Sequence, residues 1–174
     1  MIELAPKILS RIVRKKLSKV NFLVTYDCNK KCKTCDIWKI NKEDKTLRDK
    51  KLKLEEIKEF FSNNSDVMWF ALNGGEPFMR NDIEGIILSA SQYANVVNIT
   101  TNGSFPTKVE STIKSVLSTQ RKFSLMCNIS LNGLRETHDY MAGVDGSYEK
   151  AMETFARLKK INDELVREYG TANL

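Results

Sequence analysis

Three of the four cysteines in this 174-residue chain fall within one short stretch, "CNKKCKTC", at Cys28, Cys32 and Cys35. Thiolates are soft ligands suited to zinc and to iron–sulfur clusters. Lys30, Lys31 and Lys33 stand among them and predict thiols shifted toward the ionised, reactive form. A closed zinc site needs four ligands. The single histidine, His138, lies far downstream, and the fourth cysteine, Cys127, falls in a strand-like segment where a free thiol reads as a small core residue. Two solutions stay open: a zinc ion completed by Asp36 or water, and a four-iron cluster held by three cysteines with one iron left for another ligand.

The formal net charge is +6. The lysines are interleaved with acids in "KEDKTLRDKKLK" and "RLKKINDE", a pattern of solvated faces rather than one phosphate-binding stripe, so no nucleic-acid partner is expected. No segment reaches the roughly 18 consecutive apolar residues of a membrane helix, and the N-terminal stretch lacks the features of a signal peptide. The expected location is the cytoplasm, where thiols stay reduced and clustered cysteines serve metals or catalysis rather than disulfides. Within residues 1–18, Ile8, Leu9, Ile12 and Val13 share one helical face, with Lys7, Arg11, Arg14 and Lys15 around it. This basic amphipathic helix is expected to pack beneath the domain that follows, over residues 19–174, rather than on a membrane.

The elements that must position the cysteines alternate between two periods. "KVNFLVTY" (19–26), "DVMWFALN" (66–73), "NVVNITTN" (95–102) and "KFSLMCNISL" (122–131) read as strands. Between them, Leu54, Ile57, Phe60 and Phe61 recur at helical spacing, "NDIEGIILSASQYA" reads as a helix capped by Asn81 or Asp82, and "KVESTIKSVLST" as a third helix. Ser147 is expected to cap a long last helix with a buried stripe of Ala151, Met152, Phe155, Leu158, Ile161 and Leu165, ending at Gly170. "TANL" then reads as the start of a fifth strand. This alternation predicts an α/β fold with a parallel sheet and helices outside, about four βα units in one domain that lacks its last units. In strand four, Leu125, Cys127, Ile129 and Leu131 should share the outer face, with Asn128 and Ser130 opposite.

Chemistry in such folds gathers at the carboxyl ends of the strands. The cysteine cluster follows strand one, "NGGEP" (73–77) follows strand two, "TTNG" (100–103) ends strand three, and "SLNG" (130–133) ends strand four. Four strand ends thus point at one site.

Cys28, Cys32 and Cys35 in the spacing C-x3-C-x2-C, followed by "GGEP" at Gly74 to Pro77, resemble the radical S-adenosylmethionine (SAM) superfamily. "TTNG" and "SLNG…HDYMAGVDGSYEKAMETF" are similar to the branch that includes the molybdenum-cofactor cyclase and the SPASM enzymes. The resemblance implies a partial TIM-like (β/α) barrel with a [4Fe-4S] cluster on the three cysteines. It also implies reductive cleavage of SAM to a 5′-deoxyadenosyl radical that abstracts hydrogen from a small-molecule or peptide substrate. An electron donor such as flavodoxin or ferredoxin is implied as a partner.

The resemblance places Thr34, Gly74, Gly75, Glu76, Thr100, Asn102 and Ser130 around SAM. Gly74 and Gly75 would let backbone approach the methionyl ammonium, Glu76 would fix that loop, and Pro77 would stiffen it. Thr34 stands where an aromatic residue is frequent, Asn132 where Asp is usual, and Ala142 where Arg is usual. No catalytic residue beyond the cluster is implied, and His138 and Asp139 are expected to hydrogen-bond within the loop after strand four. The competing readings are a non-catalytic iron–sulfur electron carrier and a zinc-stapled binding domain.

Overall fold

The computed structural model describes residues 18–43, 46, 51–170 and 174. The basic helix expected before Ser18 and most of the expected fifth strand lie outside these residues. Four strands, β1 (Lys19–Thr25), β2 (Trp69–Gly74), β3 (Val96–Thr101) and β4 (Ser124–Ile129), pair in that order, and every pairing is parallel. The helices are α1 (Ile37–Glu43), α2 (Leu54–Asn63), α3 (Ile83–Ser91), α4 (Pro106–Thr119), α5 (Arg135–Ala142) and α6 (Ser147–Tyr169). The predicted α/β class and the alternation of four strands with helices are those of the structure, an arrangement consistent with part of a β/α barrel.

Period-two alternation decides which face each strand buries. In β1, Phe22 and Val24 are buried while Asn21 and Leu23 are exposed. In β4, Leu125 is buried and Cys127 and Ile129 pack against the same core, while Met126 and Asn128 are exposed. The predicted outer face of β4 therefore holds for these three, but the strand ends at Ile129 and Leu131 is 48% exposed. Beneath the helices, Phe22, Phe60, Phe61 and Phe70 form an aromatic cluster, with Phe61 and Phe70 centroids 4.5 Å apart. Each such ring removed from water contributes about 2–3 kcal/mol.

Three helix details differ from the sequence reading. Asp82 stands at the N-cap of α3, but its carboxylate makes no cap hydrogen bond and pairs with Arg80 instead. The N-cap of α6 is Gly146 in the left-handed region, so Ser147 is the first helical residue rather than the cap. The buried stripe of α6 runs through Ser147, Ala151, Thr154, Leu158 and Ile161, and Met152 and Phe155 are exposed. Its end at Gly170 is as expected, with the glycine amide donating to Val166 O at 2.9 Å.

The β1–β2 register shifts between Leu23 and Thr25, a bulge of the kind that strands use to re-aim the chain near a site. The extra carbonyl, Val24 O, accepts from Arg80 Nη1 at 2.8 Å. The buried Arg80 also donates to Leu52 O at 3.1 Å and grips both oxygens of Asp82, at 2.8 and 2.6 Å. Arg80→Met should therefore cost about 3 kcal/mol in urea unfolding, because it strands two carbonyls and a carboxylate. An unchanged midpoint would mean that water replaces the guanidinium without loss.

Candidate functional site

A cavity of about 230 Å³ opens at the carboxyl edge of the sheet, and all four strand ends reach it. From the loop after β1 come Cys28, Cys32, Thr34 and Cys35; from β2, Asn73, Gly74 and Gly75. Thr100, Thr101 and Asn102 reach it from β3, and Ser130 and Asn132 from the loop after β4. Every residue assigned to cluster or cofactor from the sequence lines this cavity except Glu76.

Glu76 is fully buried and acts from behind the wall. Its Oε1 accepts from the Phe78 amide at 3.0 Å and the Thr101 hydroxyl at 2.8 Å, and its Oε2 accepts from the Asn102 amide at 2.7 Å. One carboxylate thus ties the turn after β2 to the end of β3. Burial raises its pKa above the usual glutamate range, against the opposing pull of the Asn102 and Phe78 amides, the Thr101 hydroxyl and Lys30. Its partners are thus two backbone amides and one hydroxyl. Pro77 opens the 3-10 turn Pro77–Met79 directly after it.

Gly74 and Gly75 line the cavity, and the backbone of the segment after β1 itself leaves no room for a side chain at either. A Cβ on Gly74 would lie 2.3 Å from Thr25 O, and one on Gly75 would lie 2.1 Å from Asp27 O. Beyond the bulge, Gly75 N–H donates to Thr25 O at 2.8 Å and Glu76 N–H to Asp27 O at 2.7 Å. The glycines are required by this close pairing, which carries the chain to Cys28.

The cysteine loop is held from three sides. Asn102 Nδ2 donates to Asn29 Oδ1 at 2.8 Å and lies 3.9 Å from Cys28 Sγ. Trp38 Nε1, on the unanticipated helix α1, donates to Cys32 O at 3.2 Å. The amides of Lys31 and Lys33 donate to Ala142 O and Met141 O at 3.0 and 2.9 Å, where the last turn of α5 leaves carbonyls without helical partners. Lys33 Nζ also sits 3.3 Å from the centroid of the Tyr140 ring. The lysines thus serve as a clasp on α5, whose negative dipole end they complement.

They do not shift Cys28 and Cys32 toward the ionised form. Burial pushes the Cys28 and Cys32 thiols up, by more than the Lys30 amide lowers the first or the Lys30 charge lowers the second. For these two cysteines this corrects the expectation of activated thiols, and a bound metal would itself have to drive their deprotonation. Burial likewise pushes the Cys127 thiol up to about 12, as suits a core residue.

His138 and Asp139 belong to α5 rather than to a loop. His138 Nδ1 accepts from the Asn132 amide at 3.1 Å, and burial, with Lys30 nearby, lowers its pKa. Asp139 accepts from the Gly146 and Tyr148 amides, each at 2.8 Å, and so fixes the turn into α6. From α6, Thr154 Oγ1 donates to Gly103 O at 2.9 Å and steadies the loop after β3.

Ile37, Asn73, Thr101 and Asn132 also line the cavity, without having been assigned there from the sequence. Asn73 adjoins the glycines, which was signal enough to find it. Ile37 required knowing that α1 begins directly after the cysteines.

Among the described residues, no three Cys, His, Asp or Glu side chains converge on a point that would suit a single ion. The three thiols nevertheless share one cavity. That donor set fits a cluster, in which each thiolate takes its own iron, better than it fits zinc.

A parallel βα sheet with three cysteines at its carboxyl edge is consistent with part of a β/α barrel whose strand ends could hold a metal cofactor. The family model of the Radical SAM superfamily matches residues 22–167, and the chain belongs to that superfamily. Its members are enzymes that use an iron–sulfur cluster and SAM, together with a reductant and a substrate. No curated protein matches the chain. Among the described residues, no helix is long and apolar enough to cross a membrane.

Proposed function

We propose that this chain binds a [4Fe-4S] cluster through Cys28, Cys32 and Cys35 and binds SAM against the neighbouring strand ends, as the core of a cytoplasmic radical SAM enzyme. The observation that carries this reading is the convergence of all three thiols with Gly74, Gly75, Thr100, Asn102 and Ser130 on one cavity. When bound, the two cofactors supply reductive carbon–sulfur cleavage, which yields a carbon radical able to take a hydrogen atom from a substrate.

The chain's own contribution is placement. The cysteine loop is fixed by β2, by Asn102 and by the end of α5, so the thiols are presented together. Thr34 and Gly75 offer backbone, and Thr100 and Ser130 offer hydroxyls, for the polar groups of SAM. No proton-transfer group is required of the cavity, and His138 and Asp139 are engaged elsewhere.

The similarity of "HDYMAGVDGSYEKAMETF" to the cyclase and SPASM branch supports a small-molecule or peptide substrate, with flavodoxin or ferredoxin as donor. β1 begins at Lys19, which supports a division between residues 1–18 and a core over 19–174. Among the described residues β4 is paired on one side only, and we read its other edge as the place where further strands join the sheet.

Anaerobic reconstitution tests the reading. Wild type should take up about four irons per chain, the content of one such cluster. Alanine at Cys28, Cys32 or Cys35 should abolish uptake, and Cys127→Ala should leave it intact. With dithionite and SAM the loaded protein should release 5′-deoxyadenosine. Stoichiometric zinc with no iron uptake would replace this reading with a zinc-stapled domain, and iron uptake without SAM binding would replace it with an electron carrier.

A further inference from the structure

The loop after β4 supplies Ser130 and Asn132 to the cavity, yet side-chain burial does not hold it there. Residues 130–137 are all exposed, Leu134 to 79%, and the next buried side chain is His138, at 1%. The loop is tied by hydrogen bonds instead. Ser130 N–H donates to Thr101 O at 2.9 Å, and Asn132 N–H donates to His138 Nδ1 at 3.1 Å. His138 sits on α5, whose last turn receives the amides of Lys31 and Lys33. One imidazole therefore joins the β4 side of the cavity to the helix that also holds the cysteine loop. Because a backbone amide can only donate, Nδ1 must carry a lone pair, and the neutral ring then keeps its proton on Nε2. That Nε2 is buried without a hydrogen-bond partner among the described residues, so the ring is held through Nδ1 alone.

We propose that His138 is a positioning residue of the site: by accepting from the Asn132 amide, its neutral imidazole holds Ser130 and Asn132 in the cavity wall and so sets the affinity for SAM. This rests on the function proposed above, in which Ser130 meets the cofactor. A protonated ring would turn Nδ1 into a donor facing the Asn132 donor, and the loop would lose its tie. The charges that face the ring are Lys30 from the cysteine loop, Asp139 on α5 itself and Glu149 from α6, the last paired with Arg135. The Tyr148 ring of α6 lies edge-on, its centroid 6.2 Å away. Burial and Lys30 both oppose protonation and outweigh the two carboxylates, so the tie holds at neutral pH and is lost only in acid.

His138→Asn places an acceptor, Oδ1, where Nδ1 stands and does not titrate, whereas His138→Leu fills the space and accepts nothing. Because His138 is the only histidine in the chain, isotope labelling of histidine nitrogen gives a single imidazole in NMR spectra of the full chain, read without any cofactor. At neutral pH its proton should be on Nε2, and a proton on Nδ1 overturns the inference. In anaerobically reconstituted protein, equilibrium dialysis with SAM should show affinity about tenfold weaker in His138→Leu and near wild type in His138→Asn. From about pH 7.5 to about pH 5.5 wild type should lose affinity more steeply than His138→Asn, since thiol protonation weakens both alike and only wild type can also charge the ring. Wild-type affinity in His138→Leu, or equal pH profiles in wild type and His138→Asn, overturns the inference alone. If His138→Leu loads no iron, a His138→Asn protein that loads and binds SAM supports the need for an acceptor, and one that also fails overturns it in favour of packing. A wild type that loads iron but binds no SAM overturns the proposed function and the effect on SAM together, and the proton position then separates that result from failure of the tie itself.

Discussion

Alanine at Gly74 should lower the unfolding free energy by about 4 kcal/mol, and alanine at Gly75 by about 3 kcal/mol. For a chain of this size that is a fall of about 10 °C in the melting midpoint. Gly74 combines two obstacles: φ of +140° and a Cβ that would sit 2.3 Å from Thr25 O. Gly75 has only the second, but at 2.1 Å from Asp27 O. In both cases the obstructing atom is backbone, which cannot swing aside as a side-chain tip would. The strand end must then separate from the segment leading to Cys28. Iron uptake and SAM binding should accordingly fall together in either variant, with differential scanning calorimetry and anaerobic reconstitution as the two readouts. Unchanged melting with selective loss of SAM binding would show that clearance for a ligand, rather than the backbone pairing, is what the glycines supply.

The fold was legible where burial is one-sided. Strands such as β1 and β4 hide alternate residues, and α2 shows Leu54, Ile57, Phe60 and Phe61 at helical spacing, so the pattern states which face meets the core. It failed where a large apolar residue does not face that core. Met152 and Phe155 have the chemistry of buried residues and are exposed, while Ser147 and Thr154 have the chemistry of surface residues and are buried. Thr154 explains the inversion, since its hydroxyl reaches inward to Gly103 O and so satisfies itself beneath the helix. Helix α1 escaped notice because it is short and follows directly on the cysteine loop.

The candidate site was legible in its membership and less so in its reasons. Residue type and order were enough to bring the three cysteines, the glycines, Thr100, Asn102 and Ser130 together. The role of each depends on contacts between segments distant in sequence, which no local pattern reports. Lys30 is buried against Asn102, Lys31 and Lys33 close on α5, and Arg80 fills a bulge in a strand more than fifty residues before it. A run of lysines in a sequence reads as charge. Here the buried lysine and the two exposed ones have different tasks, set by how far each is from water.

Glu76→Ala should cost about 4 kcal/mol, because it leaves the Phe78 and Asn102 amides and the Thr101 hydroxyl without their buried acceptor, each omission costing about 1–3 kcal/mol and the three not simply adding. Glu76→Gln separates charge from shape. Its amide oxygen can replace Oε1, but its NH₂ then faces the Asn102 amide, donor against donor, so it should also be less stable than wild type at neutral pH. The two should differ in pH dependence. Because the folded-state pKa of Glu76 is raised by burial, the folded chain holds this proton more tightly than the unfolded chain does. Its contribution is therefore greatest below the ordinary glutamate pKa and is lost as pH rises through the raised folded value. Urea denaturation across the acid-to-neutral range should show the stability gap between wild type and Glu76→Gln widest at the acid end and narrowing as pH rises through that window. A gap that instead widens with pH would show that the three donors hold the carboxylate ionised and that hydrogen bonding, rather than burial, governs the group that joins β2 to β3.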